Sequence, residues 1–291
     1  MKPAPFEYFD PKTVEEAVSL LREHGEDAKV LAGGQSLVPL LHMRMARPEA
    51  LIDLSRVQGL EYIRETDGVL AIGAMTSKRA VERSGLVKRR QPLLHAATLL
   101  IAHPQIRNRG TVGGSMAHAD PAAEYPAVAL VLDAELRAVG PDGERTIKAG
   151  DFFVSYLTTA LEPAEVLTEV RFPMPADGTG WAFREVSRRH GDFAMAGAAV
   201  TLSAEGAGRC TEARIVLFGV GPTPIRVHGA EQMLVGETLG QALLELAGHR
   251  ASEDLDEPLS DVHASAEFRR HLAEVLTRRA LAEAMARAGG G

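Results

Sequence analysis

The sequence predicts an α+β fold in which two small α/β units form a first domain and a smaller α+β domain follows. Strand-like and helix-like runs alternate over the first part, whereas three strand-like runs and then three helical runs follow in the rest. Residues 173–180, PMPADGTG, have the proline and glycine content of a linker. We therefore predict domains at 1–176, with subdomains of about 1–57 and 58–176, and at 177–287.

The first unit opens with a well-marked helix. Thr13 and Glu16 have the spacing of a capping box, an apolar stripe follows them, and Gly25 marks the helix end. Further along this unit we predict a strand over 28–32, a helix over about 36–44 and a strand over 49–55.

The second unit has clear element signals and one ambiguous stretch. Thr76 is the predicted cap of a helix, and Pro92 suits the first position of another. Residues 103–110, HPQIRNRG, are predicted as a loop that leads through a brief extended segment into a second double glycine. The remaining predicted elements are strands over 68–74 and 165–173, helices over 92–102 and about 121–132, and a hairpin that turns at 141–143.

The second domain is predicted as a three-stranded antiparallel sheet with helices on one face. Its strand-like runs cover 181–188, 194–204 and 209–220, and its helical runs cover 229–234, 239–247 and 265–287.

Composition excludes several functions. A net charge of -7 gives no electrostatic basis for nucleic-acid binding. The single cysteine, Cys210, rules out an internal disulfide and a cysteine-based zinc or iron–sulfur site, and it fits a reducing cytoplasm. No apolar run approaches 18 residues, and the N-terminal residues have no apolar core of a signal peptide. We expect a cytoplasmic protein without a membrane span.

Two glycine loops are the main candidates for a binding site. Residues 33–36, GGQS, and 113–115, GGS, each follow a short extended run and end in a small hydroxyl residue. Glycine allows positive φ and lets N–H groups converge on an oxygen atom. A tight turn alone would explain either loop, but two such loops in adjacent units favour a diphosphate held from two sides.

Familiar catalytic patterns are missing. The glycine loops contain neither the lysine of an ATPase loop nor the GxGxxG of a dinucleotide fold. Ser36 and Ser115 are not in GxSxG, and the ten histidines have no metal-ligand spacing. We predict no catalytic acid, base or nucleophile and no metal site.

Four segments carry a family resemblance: FEYFDPKTVEEAVSLL, AGGQSLVPLL, NRGTVGGSMAHADPAAEYPAVALVLDA and VSRRHGDFAMAGAAV. Together they resemble the FAD-binding medium subunit of molybdenum hydroxylases, the carbon monoxide dehydrogenase and xanthine dehydrogenase type. DVHASAEFRRHLAEVLTRRAL is similar to the C-terminal domain of that subunit. The resemblance covers nearly the whole chain in order. It implies a two-subdomain FAD-binding domain of the vanillyl-alcohol-oxidase (PCMH) type, followed by the smaller α+β domain.

The resemblance implies that non-covalent FAD lies between the two α/β units. The residues implied around its pyrophosphate are Lys29, Val30, Leu31, Ala32, Gly33, Gly34, Gln35 and Ser36 on one side and Thr111, Val112, Gly113, Gly114 and Ser115 on the other, with His118 near the phosphates. Asp120 and Glu124 are candidates for the adenosine ribose hydroxyls, and Glu124 is favoured as the direct contact. Compensation of helix N-terminal charge is the alternative for both acids.

Further positions follow from the same resemblance. Ile101, with Ala102 beside it, and Leu167 are implied near the adenine or the flavin ring, and core packing is their alternative. Arg184 matches a basic position of the family, and the alternatives for it are a contact with FAD or a surface position on a strand without a role in binding. Asp192 and Phe193 match positions beside the isoalloxazine, with a simple β-turn as the alternative. A phenyl ring at Phe193 has no hydroxyl for a hydrogen bond to the flavin.

The implied activity is electron transfer within a complex. Substrate oxidation would occur at a molybdenum cofactor on a large partner subunit, and electrons would cross the [2Fe–2S] clusters of a small partner subunit to FAD. The flavin would then reduce quinone, NAD or oxygen. The expected assembly is a heterotrimer that doubles to (αβγ)2. A stand-alone flavin oxidase or dehydrogenase, and a flavin-binding assembly protein without turnover, are the alternatives.

Overall fold

The computed structural model describes residues 1–206 and 208–288. In the first α/β unit, parallel pairing gives the strand order β1-β3-β2. The elements are β1 (Glu7–Phe9), α1 (Val14–His24), β2 (Ala28–Leu31), α2 (Leu37–His42) and β3 (Ala50–Asp53), with short 3-10 turns at Gly25–Asp27 and Leu54–Arg56.

The start of α1 explains why this helix was easy to predict. The hydroxyl of Thr13 accepts a hydrogen bond from the N–H of Glu16 at 3.2 Å. The carboxylate of Glu16 accepts from the N–H of Lys12 at 2.7 Å, so the reciprocal bond closes one residue before the cap. Gly25 ends the helix with φ of 57°, in the left-handed region.

The second unit surrounds a five-stranded antiparallel sheet in the order β4-β5-β10-β6-β7. Its helices cover the sheet with the largest apolar core of the molecule. The elements are β4 (Ile63–Thr66), β5 (Val69–Gly73), α3 (Lys78–Arg83), α4 (Gly85–Arg90), α5 (Pro92–Leu100), α6 (Pro104–Arg109), α7 (Val112–His118), α8 (Glu124–Val131), β6 (Glu135–Gly140), β7 (Gly143–Lys148), α9 (Ala149–Phe152), β8 (Phe153–Ser155), β9 (Thr158–Thr159) and β10 (Val166–Pro173).

Three local predictions in this unit are wrong. Thr76 does not cap a helix: it is buried and bonds to the backbone of Tyr62, while Ser77 caps α3 by accepting from the N–H of Ala80 at 3.1 Å. Residues 103–110 contain helix α6 instead of a loop. The second glycine pair does not follow an extended segment but lies in the first turn of α7. Only Thr111, the residue before this helix, is extended, and it forms an isolated β-bridge to Ser77.

The second domain is an antiparallel sheet in the order β11-β12-β13-β14, with its longest helix packed on the sheet. The three predicted strands are present. A fourth strand of two residues joins them, too short to show alternation in the sequence. The elements are β11 (Gly180–Val186), β12 (Ala196–Glu205), β13 (Arg209–Phe218), β14 (Ile225–Arg226), α10 (His228–Leu234), α11 (Gln241–Glu253) and α12 (Ala266–Arg287).

Strand β11 separates two environments because successive side chains point to opposite faces. Arg184 lies on the α12 face and forms an ion pair with Glu283 at 2.7 Å. Phe183 lies on the other face, where it belongs to the core of the second α/β unit and stacks on Phe218 with ring centroids 5.1 Å apart. Glu185 follows Phe183 by two residues and therefore faces the first domain.

Arg269 of α12 binds backbone segments of the second domain that contact the first domain. Its guanidinium donates to the carbonyl oxygens of Met195 and Gly219 and to the carboxylate of Asp261, the last at 2.6 Å. The N–H of Gly219 in turn donates to the carbonyl of Pro121 at 2.8 Å. The side chain is 4% exposed, so these bonds are formed away from water. Through them α12 fixes the turn that precedes α8.

No helix among the described residues is long and apolar enough to cross a membrane. The same residues contain no group of three or more His, Cys, Asp or Glu side chains that could hold a metal ion.

Candidate cofactor-binding site

The first glycine loop connects β2 to α2. Gly34 has φ of 72°, a conformation that side chains disfavour. The amide of Gln35 donates to the carbonyl of Gly33 at 3.1 Å, and the N–H of Val38 donates to the carbonyl of Gly34 at 3.1 Å. The N–H groups of residues 34–36 make no hydrogen bond to any other described residue. The loop is therefore shaped by its own bonds and keeps backbone donors available.

Gly33 is required by packing between the two α/β units. A Cβ atom at this position would overlap the carbonyl oxygen of Arg109 and would lie 2.8 Å from the Cα of Gly110. The first unit thus touches the backbone of the second at the point where the latter leads into its own glycine loop.

The second glycine loop is held differently. Thr111 caps α7 by accepting from the N–H of Gly114 at 3.0 Å. The N–H of Gly113 donates to the carbonyl of Ala74 at 2.8 Å, and a Cβ on Gly113 would lie 2.5 Å from the Cβ of Ala74. The N–H groups of residues 112–115 are all bonded within the protein. They are not available to a ligand, so this loop offers a smooth surface and the hydroxyl of Ser115.

The two loops meet beside a cavity. A Cβ on Gly114 would be 3.4 Å from the Cβ of Ala32. The cavity has a volume of about 370 Å³ and is lined by the first loop together with Asp53, Ile106 and Arg109. The predicted convergence of the loops is thus present in the fold. Arg109 adds a cation to the available N–H groups, a combination suited to an anion.

Buried charges lie behind the second loop. The ammonium of Lys78 is 3.3 Å from the hydroxyl of Ser115 and 5.4 Å from the centre of the Tyr125 ring. Burial lowers the pKa of Lys78, and the charge of Glu124 opposes this shift. Glu124 stands in the first turn of α8, where burial raises its pKa to about 7. Burial also lowers the pKa of His118, so its imidazole favours the neutral form.

The remaining predicted residues fall into two groups. Ile101 and Leu167 are buried in the large core of the second unit, next to the site but packed by apolar neighbours. Phe193 is 60% exposed, and Asp192 pairs with Arg188 at 3.3 Å. Arg184 does not point toward the first domain, because its side chain faces α12 and pairs with Glu283.

The turn that carries Asp192 lies against the end of α5. A Cβ on Gly191 would lie 2.5 Å from the ring of His103 and 3.1 Å from the carbonyl of Ala102. Ala102 itself has φ of 42°. Asp120 accepts from the N–H of Ala122 at 2.9 Å, so one of its oxygens shapes the turn before α8.

Two residues at the site were missed by sequence reasoning: Lys78 and Arg109. Arg109 was recognisable, since it stands immediately before the second loop. Lys78 gave no local signal, because a lysine in a first helical turn is a common surface residue.

These residues fit a dinucleotide-sized anionic cofactor. The first loop offers unpaired N–H groups, both loops present glycine surfaces without side chains, and Arg109 and Lys78 supply positive charge. Glu124 supplies an acceptor for a hydroxyl group. Residues of both α/β units line the cavity, so an extended ligand would contact both units.

The fold and the site together define an FAD-binding flavoprotein domain. Residues 4–175 match the FAD binding domain in molybdopterin dehydrogenase, and residues 181–284 match the CO dehydrogenase flavoprotein C-terminal domain. The chain belongs to this family of flavoprotein subunits, which confirms the expected family, fold and cofactor.

Curated relatives span the whole chain. It is 46% identical over 288 residues to the 6-hydroxypseudooxynicotine dehydrogenase complex subunit alpha of Paenarthrobacter nicotinovorans, covering 99% of this chain and 97% of that protein. It is 42% identical to the carbon monoxide dehydrogenase medium chain of Hydrogenophaga pseudoflava, covering 99% of each. A solved structure of the carbon monoxide dehydrogenase from Hydrogenophaga pseudoflava superposes with a TM-score of 0.97 at 42% identity, covering 99% of this chain and 100% of that one.

Proposed function

We propose that this chain is the FAD-carrying, electron-transferring medium subunit of a molybdenum hydroxylase. The observation that carries the proposal is a cavity between the two α/β units, lined by the first glycine loop with its unpaired N–H groups and by Arg109, which precedes the second loop. Relatives named as a medium chain of carbon monoxide dehydrogenase and as a subunit of a dehydrogenase complex support it. They also favour a subunit over a stand-alone oxidase.

The proposed cofactor contacts keep most of the sequence-based set and add Arg109 and Lys78. Arg184 is left out because it is engaged by α12. The contacts kept from the sequence-based set are Lys29, Val30, Leu31, Ala32, Gly33, Gly34, Gln35 and Ser36 from the first unit, Ile101, Ala102, Thr111, Val112, Gly113, Gly114, Ser115, His118, Asp120, Glu124 and Leu167 from the second, and Asp192 and Phe193 from the second domain.

The protein residues bind and orient, and FAD supplies the redox chemistry when it is bound. The N–H groups of residues 34–36 and the guanidinium of Arg109 would neutralise phosphate charge on one side. Ser115 and the ammonium of Lys78 would do so on the other. The carboxylate of Glu124 would accept from a ribose hydroxyl.

The proposed assembly supplies what this chain lacks. One cysteine cannot hold a [2Fe–2S] cluster, which is bound by four cysteine ligands in most proteins. The clusters would lie on a small iron–sulfur subunit and the molybdenum cofactor on a large subunit, in an (αβγ)2 complex of the cytoplasm. The domain division proposed for this chain is 1–176 and 177–287.

Two measurements test the proposal. The native complex is purified through this chain, and its partners are identified together with bound molybdenum, iron and FAD. A large molybdenum-containing partner and a small cysteine-rich partner are expected. Oxidation of a small substrate by the isolated chain would instead favour a stand-alone oxidase.

The first loop can be tested with a matched pair of variants. Gly34→Ala and Gly25→Ala both place a side chain at positive φ, which costs about 1–2 kcal/mol of stability. Gly25 has no neighbour within 4 Å of a new Cβ. We expect both to lower the melting temperature, and only Gly34→Ala to weaken FAD binding, measured by flavin fluorescence. Equal FAD affinity of the two variants would contradict the assignment of the first loop.

A further inference from the structure

One carboxyl oxygen of Glu185, the Oε2 atom, is buried without a hydrogen-bond partner among the described residues. Buried polar atoms are nearly always paired, because a buried acceptor without a donor loses its hydration and gains nothing in return. A donor from outside the described chain is the simplest way to restore the balance.

The position of Glu185 shows where that donor would come from. Its neighbour Arg184 points to α12 and is paired with Glu283, so Glu185 points to the opposite face. On that face Phe183 already packs into the core of the FAD-binding domain. Strand β11 also packs against α5, whose end lies next to the turn that carries Asp192. Glu185 therefore points from the second domain toward the FAD-binding domain.

Glu124 is the first residue of α8, and this helix packs against β12 and β13 of the second domain. The two carboxyl groups are near enough for the charge of Glu124 to add to the burial that raises the pKa of Glu185 to about 8. Neither acid has an arginine or lysine within ion-pair distance among the described residues. Lys78, whose charge lowers the pKa of Glu124, donates its hydrogen bond to Ser115 instead. Two buried acceptor groups therefore lie near each other where the second domain meets the first, and few donors of this chain serve them.

We propose that Glu185 is a cofactor-binding residue that hydrogen-bonds to an O–H or N–H group of FAD from the second-domain side. FAD carries such donors in both halves: the ribityl hydroxyls and the flavin N–H in one, the ribose hydroxyls and the adenine amine in the other. Glu124 and Glu185 then both hold the cofactor, and the second domain closes the site. This inference rests on the proposed function.

The test compares Glu185→Leu, Glu185→Gln and the surface control Glu212→Leu, whose side chain is 55% exposed in the wild type. Affinity for FAD is measured by fluorescence titration, with ADP and FMN as probes for the two halves. Glu185→Leu removes the acceptor and is expected to weaken FAD binding by about ten- to a hundredfold. Glu185→Gln keeps an acceptor oxygen and is expected to remain within about threefold of the wild type. The probe that loses affinity identifies the half that donates.

Stability separates binding from packing. Because Leu replaces an unpaired polar group, Glu185→Leu should not lower the melting temperature of the cofactor-free chain, although it weakens FAD binding. A lower melting temperature together with unchanged FAD affinity would overturn the inference and leave Glu185 as a packing residue. If the wild type itself does not bind FAD, the proposed function fails as well.

A second measurement does not depend on the folding of Glu185→Leu. Infrared difference spectra of the wild type and Glu185→Gln are recorded before and after FAD is added. A carboxyl band that shifts on FAD binding in the wild type and is absent from Glu185→Gln is expected. An unshifted band would overturn the inference.

Discussion

At the scale of single residues, the site is defined by ionisable side chains that are buried away from water. Glu124 and Glu185 are raised in pKa to about 7 and about 8 from an ordinary value of 4.5, mainly by burial. An acid with a raised pKa is held in its neutral form by the fold. The cofactor-free chain therefore carries two carboxyl groups that resist ionisation in the pH range of the cell.

This produces a predictable pH dependence of stability. Between about pH 5 and pH 8 the unfolded chain has lost the proton of Glu185 and the folded chain retains it, so its contribution to the free energy of unfolding falls as pH rises. The slope is at most about 1.4 kcal/mol per pH unit for one group. Glu185→Gln should remove this slope, measured by urea unfolding of cofactor-free protein at pH 5, 6.5 and 8. Parallel curves for the wild type and Glu185→Gln would contradict the raised pKa.

The glycines of the two loops serve different purposes, although they look alike in the sequence. Gly34 is needed for its backbone conformation, Gly33 and Gly113 for the close approach of neighbouring backbone or side-chain atoms. A diphosphate would gain backbone N–H donors only from the first loop, whereas the second loop offers the hydroxyl of Ser115. The sequence could indicate that both loops matter, but not that only the first keeps its backbone donors free.

At the scale of elements, α7 is fixed by its first residues. The cap at Thr111 holds the N–H of Gly114, and the extended conformation of Thr111 allows its bridge to Ser77. The side-chain bond of Thr111 therefore helps to set the surface of Gly114 and the hydroxyl of Ser115, together with the backbone bonds of residues 112, 113 and 115. Loss of this bond is expected to affect both the helix and the site.

Cap variants separate these two effects. Thr111→Ala should lower the free energy of unfolding by about 1 kcal/mol and weaken FAD binding. Ser265→Ala removes the equivalent cap of α12, where the hydroxyl accepts from the N–H of Phe268 at 3.2 Å, and should cost a similar amount without affecting FAD. Both are measured by thermal unfolding and fluorescence titration. Thr111→Ser should restore both properties, and its failure to do so would assign the effect to the methyl group.

At the scale of the whole molecule, the join between the α/β units is a tight contact between backbones. Gly33→Ala would push a methyl group into the carbonyl of Arg109, and the two units would have to move apart. Overpacking of this kind costs about 1–3 kcal/mol. The loss should be present in the cofactor-free chain, measured by urea unfolding. Gly150→Ala is the control, since a Cβ there meets nothing within 4 Å. Equal stabilities would show that the units adjust freely.

The order of secondary structure was predictable because most elements carry their own signals. The cap at Thr13, the hairpin with Gly140 opposite Gly143, and the long helix α12 are local patterns. Helix α6 was missed because its six residues, Pro104–Arg109, are too few for a periodic pattern. Glu185 could not be assigned, since strand alternation shows that it opposes Arg184 but not which face meets the FAD-binding domain. That depends on how the domains pack.

The contact between Gly33 and the Arg109–Gly110 backbone also sets an order of events during synthesis. The first loop leaves the ribosome long before the segment it rests on, and Glu185 emerges later still. When only the first unit has left the ribosome, the first glycine loop is present but the residues of the second unit that complete the cavity are not. We therefore expect FAD to bind only after the segment that contains Arg109 and Gly110 has been synthesised and has packed against the first loop.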